Sequence, residues 1–141
     1  MLRVTKEFHF CAAHRLNDYE GKCSSLHGHN YRVLLSLGGA VREGMIVDFG
    51  NVNKDFTPSI DALDHSTIIS KHDEIFFPAI AELKSRGVLG KVFIMDEKVT
   101  AENIAYLLYK AADVIFGGVN GVFVYSVTVY ETDTCFATYE R

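Results

Sequence analysis

Apolar and polar residues alternate from the start of the chain, with Leu2, Val4, Lys6, Phe8 and Phe10 set against Arg3, Thr5, Glu7 and His9. A period of two with one mostly apolar side predicts a β-strand over residues 2–11. A polar, glycine-containing loop runs from Asn17 to Ser25, and a second strand is predicted from about His29 to Leu37, ended by Gly38-Gly39. After the short apolar segment 45–50, which holds one acid (Asp48), the spacing becomes helical. Asn51 stands where it could cap a helix carrying Val52, Phe56 and Ile60, each four apart. Residues 63–69 read as a loop or short extended piece. Asp73 could cap a helix from about Glu74 to Arg86, with Pro78 kinking it or sitting near its start. Val92–Met95 reads as a buried strand. The clearest helix opens at Thr100, a plausible cap, and carries the stripe Ile104, Leu107, Leu108, Ala111, Val114 and Ile115 before Gly117-Gly118 stops it. A β-rich run from Val122 to Glu131 follows, and Cys135–Tyr139 extends or re-pairs it.

No helix long enough for a parallel crossover joins the two opening strands, which favours antiparallel pairing. The expectation is one α+β domain spanning 1–141, an antiparallel sheet with helices on one face. The other face, carrying Phe, Tyr, Cys and His, then needs a cover, and a partner subunit is the natural one. Composition narrows the function. The 141-residue chain has a net charge of -4, with scattered Lys and Arg, which disfavours nucleic acid and anionic membranes as partners. No apolar run nears the ~20 residues that span a bilayer. The first residues carry charges where a signal peptide would be apolar. The three cysteines, an odd number, do not suggest a disulfide framework, so a cytoplasmic, reducing setting is expected.

Chemistry concentrates in Cys23-Ser24-Ser25-Leu26-His27-Gly28-His29. Residues two apart on a strand share a face, so His27 and His29 would project together. His14, just past the first strand, could join them across an antiparallel pair and complete a three-nitrogen zinc site with an open fourth position. Any one of these histidines alone is more simply a surface or core residue. Cys23, in a polar loop, could be a fourth ligand, a reactive thiolate or a buried apolar residue. The last reading suits Cys11 and Cys135 better. Asp64-His65 is an acid–imidazole pair able to fix a tautomer and relay protons. Glu131 ends an apolar strand and could grip an N–C–N donor edge through two parallel hydrogen bonds, or simply be solvated. Glu102 in a helix's first turn suits the helix dipole, and Asp48 reads as a buried acid pairing with backbone donors.

Together these pieces resemble the 6-pyruvoyl-tetrahydropterin synthase / 6-carboxytetrahydropterin synthase family. The matching stretches are Phe10-Cys11-Ala12-Ala13-His14-Arg15-Leu16, Cys23-x3-His27-Gly28-His29-Asn30-Tyr31, Val47-Asp48-Phe49-Gly50, Leu63-Asp64-His65, Thr100-Ala101-Glu102-Asn103 and Val129-Tyr130-Glu131-Thr132. The resemblance implies a T-fold subunit, assembled into barrels by several copies (a hexamer or tetramer) with active sites between subunits. It implies zinc held by His14, His27 and His29. It makes Cys23 a proton-transfer residue partnered by Asp64 and His65, and sets Glu131, Thr100 and Glu102 around a pterin. Zinc needs an open position in that arrangement, so Cys23 is not expected to be a permanent fourth ligand. The substrate implied is 7,8-dihydroneopterin triphosphate. The three residues between Cys23 and His27 resemble the bacterial 6-carboxytetrahydropterin synthases of queuosine biosynthesis, whereas eukaryotic-type pyruvoyl enzymes typically have five. Tyr130-Glu131-Thr132-Asp133 also resembles the pyruvoyl branch, which eliminates triphosphate from the same substrate. A non-catalytic zinc- or pterin-binding module is the remote alternative.

Overall fold

The opening alternation becomes a twelve-residue strand, β1 (Arg3–His14), antiparallel to an equally long β2 (His27–Gly38). A computed structural model describes residues 1–141. The remaining elements are α1 (Phe49–Asp61), β3 (Ser66–Ser70), α2 (Phe76–Ser85), β4 (Lys91–Met95), α3 (Ala101–Phe116), β5 (Phe123–Tyr130) and β6 (Phe136–Glu140). They form one six-stranded sheet in the order β4-β3-β1-β2-β5-β6.

The sheet is mixed, where the sequence suggested antiparallel pairing throughout. The four strands β1, β2, β5 and β6 are antiparallel neighbours, but β3 runs parallel to β1 and β4 parallel to β3. The cause is α2, which crosses back between β3 and β4 and so delivers β4 in the same direction. β4 lies at the sheet edge with Ile94 half exposed, rather than buried as its apolar run implied.

Directly opposed residues of β1 and β2 share a face. Phe8, Phe10, Ala12 and His14 therefore line up with Val33, Tyr31, His29 and His27. Most of this stripe is sealed under α1 and α3. Val52, Phe56 and Ile60 meet it from α1, as the spacing predicted, and Ile104, Ala105, Leu108 and Ala112 from α3. Phe10 stacks on Tyr31 (ring centroids 4.6 Å apart), and burying the Phe10 ring contributes roughly 1.5–3 kcal/mol. The stripe ends at His14, so the core's last position is a histidine.

Several details depart from the sequence expectation. Asp48, not Asn51, caps α1: its carboxylate accepts from the Gly50 and Asn51 amides, and it is exposed rather than buried. The buried face of α3 is rotated toward Ala101, Ala105, Tyr109, Ala112 and Phe116, leaving Val114 84% exposed. Cys11 and Cys135 are exposed, not core residues. The open sheet face is more polar than expected, with the Arg3 and Arg32 guanidinium groups lying over Tyr125 and Tyr130. No helix is long and apolar enough to cross a membrane.

Candidate metal centre and active site

The β1–β2 register sets His14 opposite His27, with His29 one pair further along the same face. Their available ring nitrogens lie within 4.8 Å of one another. Two rings are oriented from behind. A carbonyl can only accept, so His14 Nδ1–H donates to the Val99 carbonyl at 2.8 Å and His27 Nδ1–H to that of Ser25 at 2.7 Å. This leaves Nε2 of each with a free lone pair. The Nε2 atoms of His14, His27 and His29 are all buried and lack a hydrogen-bond partner in the chain. Three orphaned nitrogens around one point suit a metal ion with fixed tautomers, as outer hydrogen bonds provide in metal sites. Burial, together with the neighbouring imidazoles, lowers the pKa of His14 to about 4, outweighing the Val99 bond that raises it. Burial and then His27 lower that of His29 as well. Both shifts keep the rings in the neutral form that ligation requires.

Glu131, in the turn between β5 and β6, brings Oε1 to 3.8 Å from His14 Nε2. Burial raises its carboxyl's pKa and the negative charge of Glu102 raises it further, with His27 opposing. Glu102 thus faces the same region from the first turn of α3. Thr100 spends its hydroxyl on the helix cap, accepting from the Asn103 amide at 3.2 Å. One short segment therefore supports His14 through Val99, starts α3 through Thr100 and supplies Glu102.

Cys23 sits half-buried in a 3-10 turn, Lys22–Ser24, and stays outside the three-histidine ligand group. Its thiol is near enough that a negative charge there, after burial and Glu131, raises the pKa of Tyr31. Sequence reasoning gave Tyr31 no role, yet its hydroxyl is buried beside the histidines without a partner.

Asp64 and His65 are held at the far edge of β1. Asp64 Oδ1 accepts from the Cys11 amide and Oδ2 lies 2.8 Å from His65 Nδ1, while the His65 amide donates to the Cys11 carbonyl. The Lys91 ammonium donates to the Asp61 and Asp64 carbonyls, bracing the loop from β4. The Cys11 amide, the His65 ring and, more weakly, Lys91 hold the Asp64 carboxyl below its usual range. His65 has φ of 54°, a left-handed conformation that costs a non-glycine residue about 1–2 kcal/mol. Its ring is 80% exposed and borders a groove with Cys11, Gly28 and Asn30. Cys11 and Asn30 point to the face opposite His29. Within one chain the acid–imidazole pair and the histidine trio thus lie on different sides of the sheet.

A family model for 6-pyruvoyl tetrahydropterin synthase matches residues 3–141. The chain belongs to that family. Among its relatives, a 6-carboxy-5,6,7,8-tetrahydropterin synthase of Rickettsia felis is 32% identical over 140 residues, covering 96% of this chain and 98% of the relative. An uncharacterized protein of Wolinella succinogenes has the same fold, with a TM-score of 0.86 at 24% identity over 99% of this chain and 98% of the other. The 6-pyruvoyl tetrahydropterin synthase of Caenorhabditis elegans superimposes with a TM-score of 0.72 at 25% identity, covering 99% and 95%. The fold expectation of a T-fold α+β subunit is therefore met, with the mixed sheet as its refinement.

Proposed function

We propose that the protein is a zinc-dependent lyase converting 7,8-dihydroneopterin triphosphate and one water to 6-carboxy-5,6,7,8-tetrahydropterin, acetaldehyde and triphosphate, a step of queuosine biosynthesis. The observation that carries this reading is the three-residue gap between Cys23 and a convergent, partnerless histidine trio. The near-full-length relative named for that product supports it. His14, His27 and His29 would hold the metal. Once bound, Zn²⁺ supplies Lewis-acid polarisation of the substrate's side-chain oxygens.

The remaining roles belong to the chain's own side chains. Glu131 accepts two parallel N–H bonds from the pterin edge and fixes the ring, with Glu102 and Thr100 bordering that pocket. Cys23 takes a carbon-bound proton from the substrate side chain. His65, its Nδ1 oriented by Asp64, moves a proton on the other side of that chain. Because the Asp64–His65 pair lies across the sheet from the trio, the complete site is assembled between copies in a homo-oligomer, a hexamer or tetramer. Three free thiols fit a cytoplasmic enzyme.

The pyruvoyl synthase reading keeps the three-carbon side chain and has the Caenorhabditis elegans structure in its favour. Incubating the purified, zinc-loaded protein with 7,8-dihydroneopterin triphosphate separates the two. Stoichiometric acetaldehyde is expected; triphosphate release without it would move the protein to the pyruvoyl branch.

A further inference from the structure

The residue after the metal-site candidate His14 is an arginine, and its guanidinium does not reach solvent freely. Arg15 Nε donates to Asp73 Oδ2 at 2.6 Å and a terminal nitrogen donates to Asp73 Oδ1 at 3.1 Å, a two-point pair with Asp73 only 3% exposed. Asp73 is itself fixed. Its amide donates to the Ser70 carbonyl at the end of β3, its carbonyl accepts from Phe77, and Oδ1 accepts from the Phe76 amide at the start of α2. The Phe76 ring lies beneath the guanidinium. The third arm of Arg15 points away from this pair and donates to the Ser24 carbonyl at 3.3 Å. Next to it, the Leu16 amide donates to the Cys23 carbonyl at 2.8 Å. The turn bearing Cys23 is therefore tied at two consecutive carbonyls to the stretch that follows His14. That stretch is tied in turn to the junction of β3 and α2.

A pair this buried is poor stability design, since apolar residues of equal volume often serve as well or better. What it provides is fixed geometry: a planar fork locked on one side has its remaining donors aimed on the other. We infer that Arg15 and Asp73 are positioning residues that hold the Cys23 turn in register with the histidine trio. The inference rests on the reading of Cys23 as the proton-transfer group. Asp73 touches nothing in the site and acts through Arg15; Arg15 acts through the Ser24 carbonyl. Neither residue is a ligand or an acid–base group.

The test compares Arg15→Lys, Asp73→Asn and their double variant with the parent. Lysine keeps the charge but loses the fork. Asparagine keeps the volume and can still accept from the Phe76 amide, so α2 retains its cap. Each is measured per folded, zinc-loaded enzyme. We expect kcat to fall about tenfold to a hundredfold, as small misplacements of a reacting group do, with KM and zinc content within twofold of the parent. The double variant should be no worse than the more damaging single one, because the two residues act as a unit. In a Cys11→Ser, Cys135→Ser background Cys23 is the sole thiol, and iodoacetamide should alkylate it several-fold faster in each variant as the turn loosens. Parental kcat and parental alkylation rates would overturn the inference. So would zinc loss in proportion to activity, which would mean the pair acts on His14 instead. Cys23→Ser, run alongside, keeps the two claims apart: full turnover in that variant sinks the role of Cys23. Its loss there, with parental kcat and alkylation in Arg15→Lys and Asp73→Asn, sinks only the clamp.

Discussion

At the scale of single residues, the protein sorts its carboxyls by surroundings. Burial raises the pKa of Asp73, but the Arg15 bond and the Phe76 amide outweigh it and hold the group below the ordinary range. Glu131 goes the other way, because burial and Glu102 both disfavour its charge. The sign for Asp73 follows directly. A carboxyl whose folded pKa lies below the unfolded value of about 3.9 adds stability above that value and loses it as pH falls through the lower folded one. Asp73→Asn should therefore lower the thermal midpoint at pH 6 and have progressively less effect in acid. Thermal melts between pH 6 and pH 2.5 check this, and a constant offset across the range would refute it. Residue-scale legibility was uneven. Imidazoles two apart on a strand announce a shared face, so His27 and His29 could be read from spacing. The Arg15–Asp73 bond joins positions 58 apart, and no local pattern encodes it. The Val99 carbonyl behind His14 is a backbone group 85 residues away and carries no sequence mark at all.

At the scale of elements, the strands were legible because one face is buried and the period is strict. β2 begins two residues earlier than its alternation suggested, because Gly28 carries no side chain to register the pattern. The helices follow their spacing, and in α3 the expected stripe meets the core at every position but Val114, with the buried face extended onto Ala101, Ala105 and Ala112. Its apolar residues cover more than one stripe, and periodicity gives small alanines no more weight than the exposed Val114. The sheet chose alanines: Ala105 and Ala112 are fully buried, which lets α3 lie close to β5. Ala112→Leu should then cost about 1–3 kcal/mol through overpacking, whereas Val114→Ala should stay within about 0.5 kcal/mol. Urea unfolding of the two variants decides between the observed face and the one the periodicity suggested. The parallel half of the sheet was not legible, because a crossover through α2 and a hairpin connection differ in where the chain returns.

At the scale of the whole molecule, one subunit presents two clusters of candidate site residues on opposite sides of a sheet. The trio, Glu131 and Cys23 share one side, and Asp64–His65 the other. Copies inactivated on different halves should rescue each other. Cys23→Ser and His65→Asn subunits, dissociated together and reassembled one to one, should regain about a quarter of parental activity if each site draws on two copies at random. Asparagine suits the left-handed backbone at position 65, so the second variant keeps its loop. Zero recovery, with mixed oligomers verified by mass spectrometry, would mean that each site is built within one chain.

β1 connects these halves. Cys11 holds Asp64 through its main chain, and three residues later His14 turns its ring to the side of His27 and His29. An odd number of steps separates Cys11 from His14, so the pleat sends their side chains to opposite faces. One residue inserted between Cys11 and His14 would invert every position after it, sending His14 out on the side of Cys11 and drawing Ala13 in. Those three steps are a fixed length.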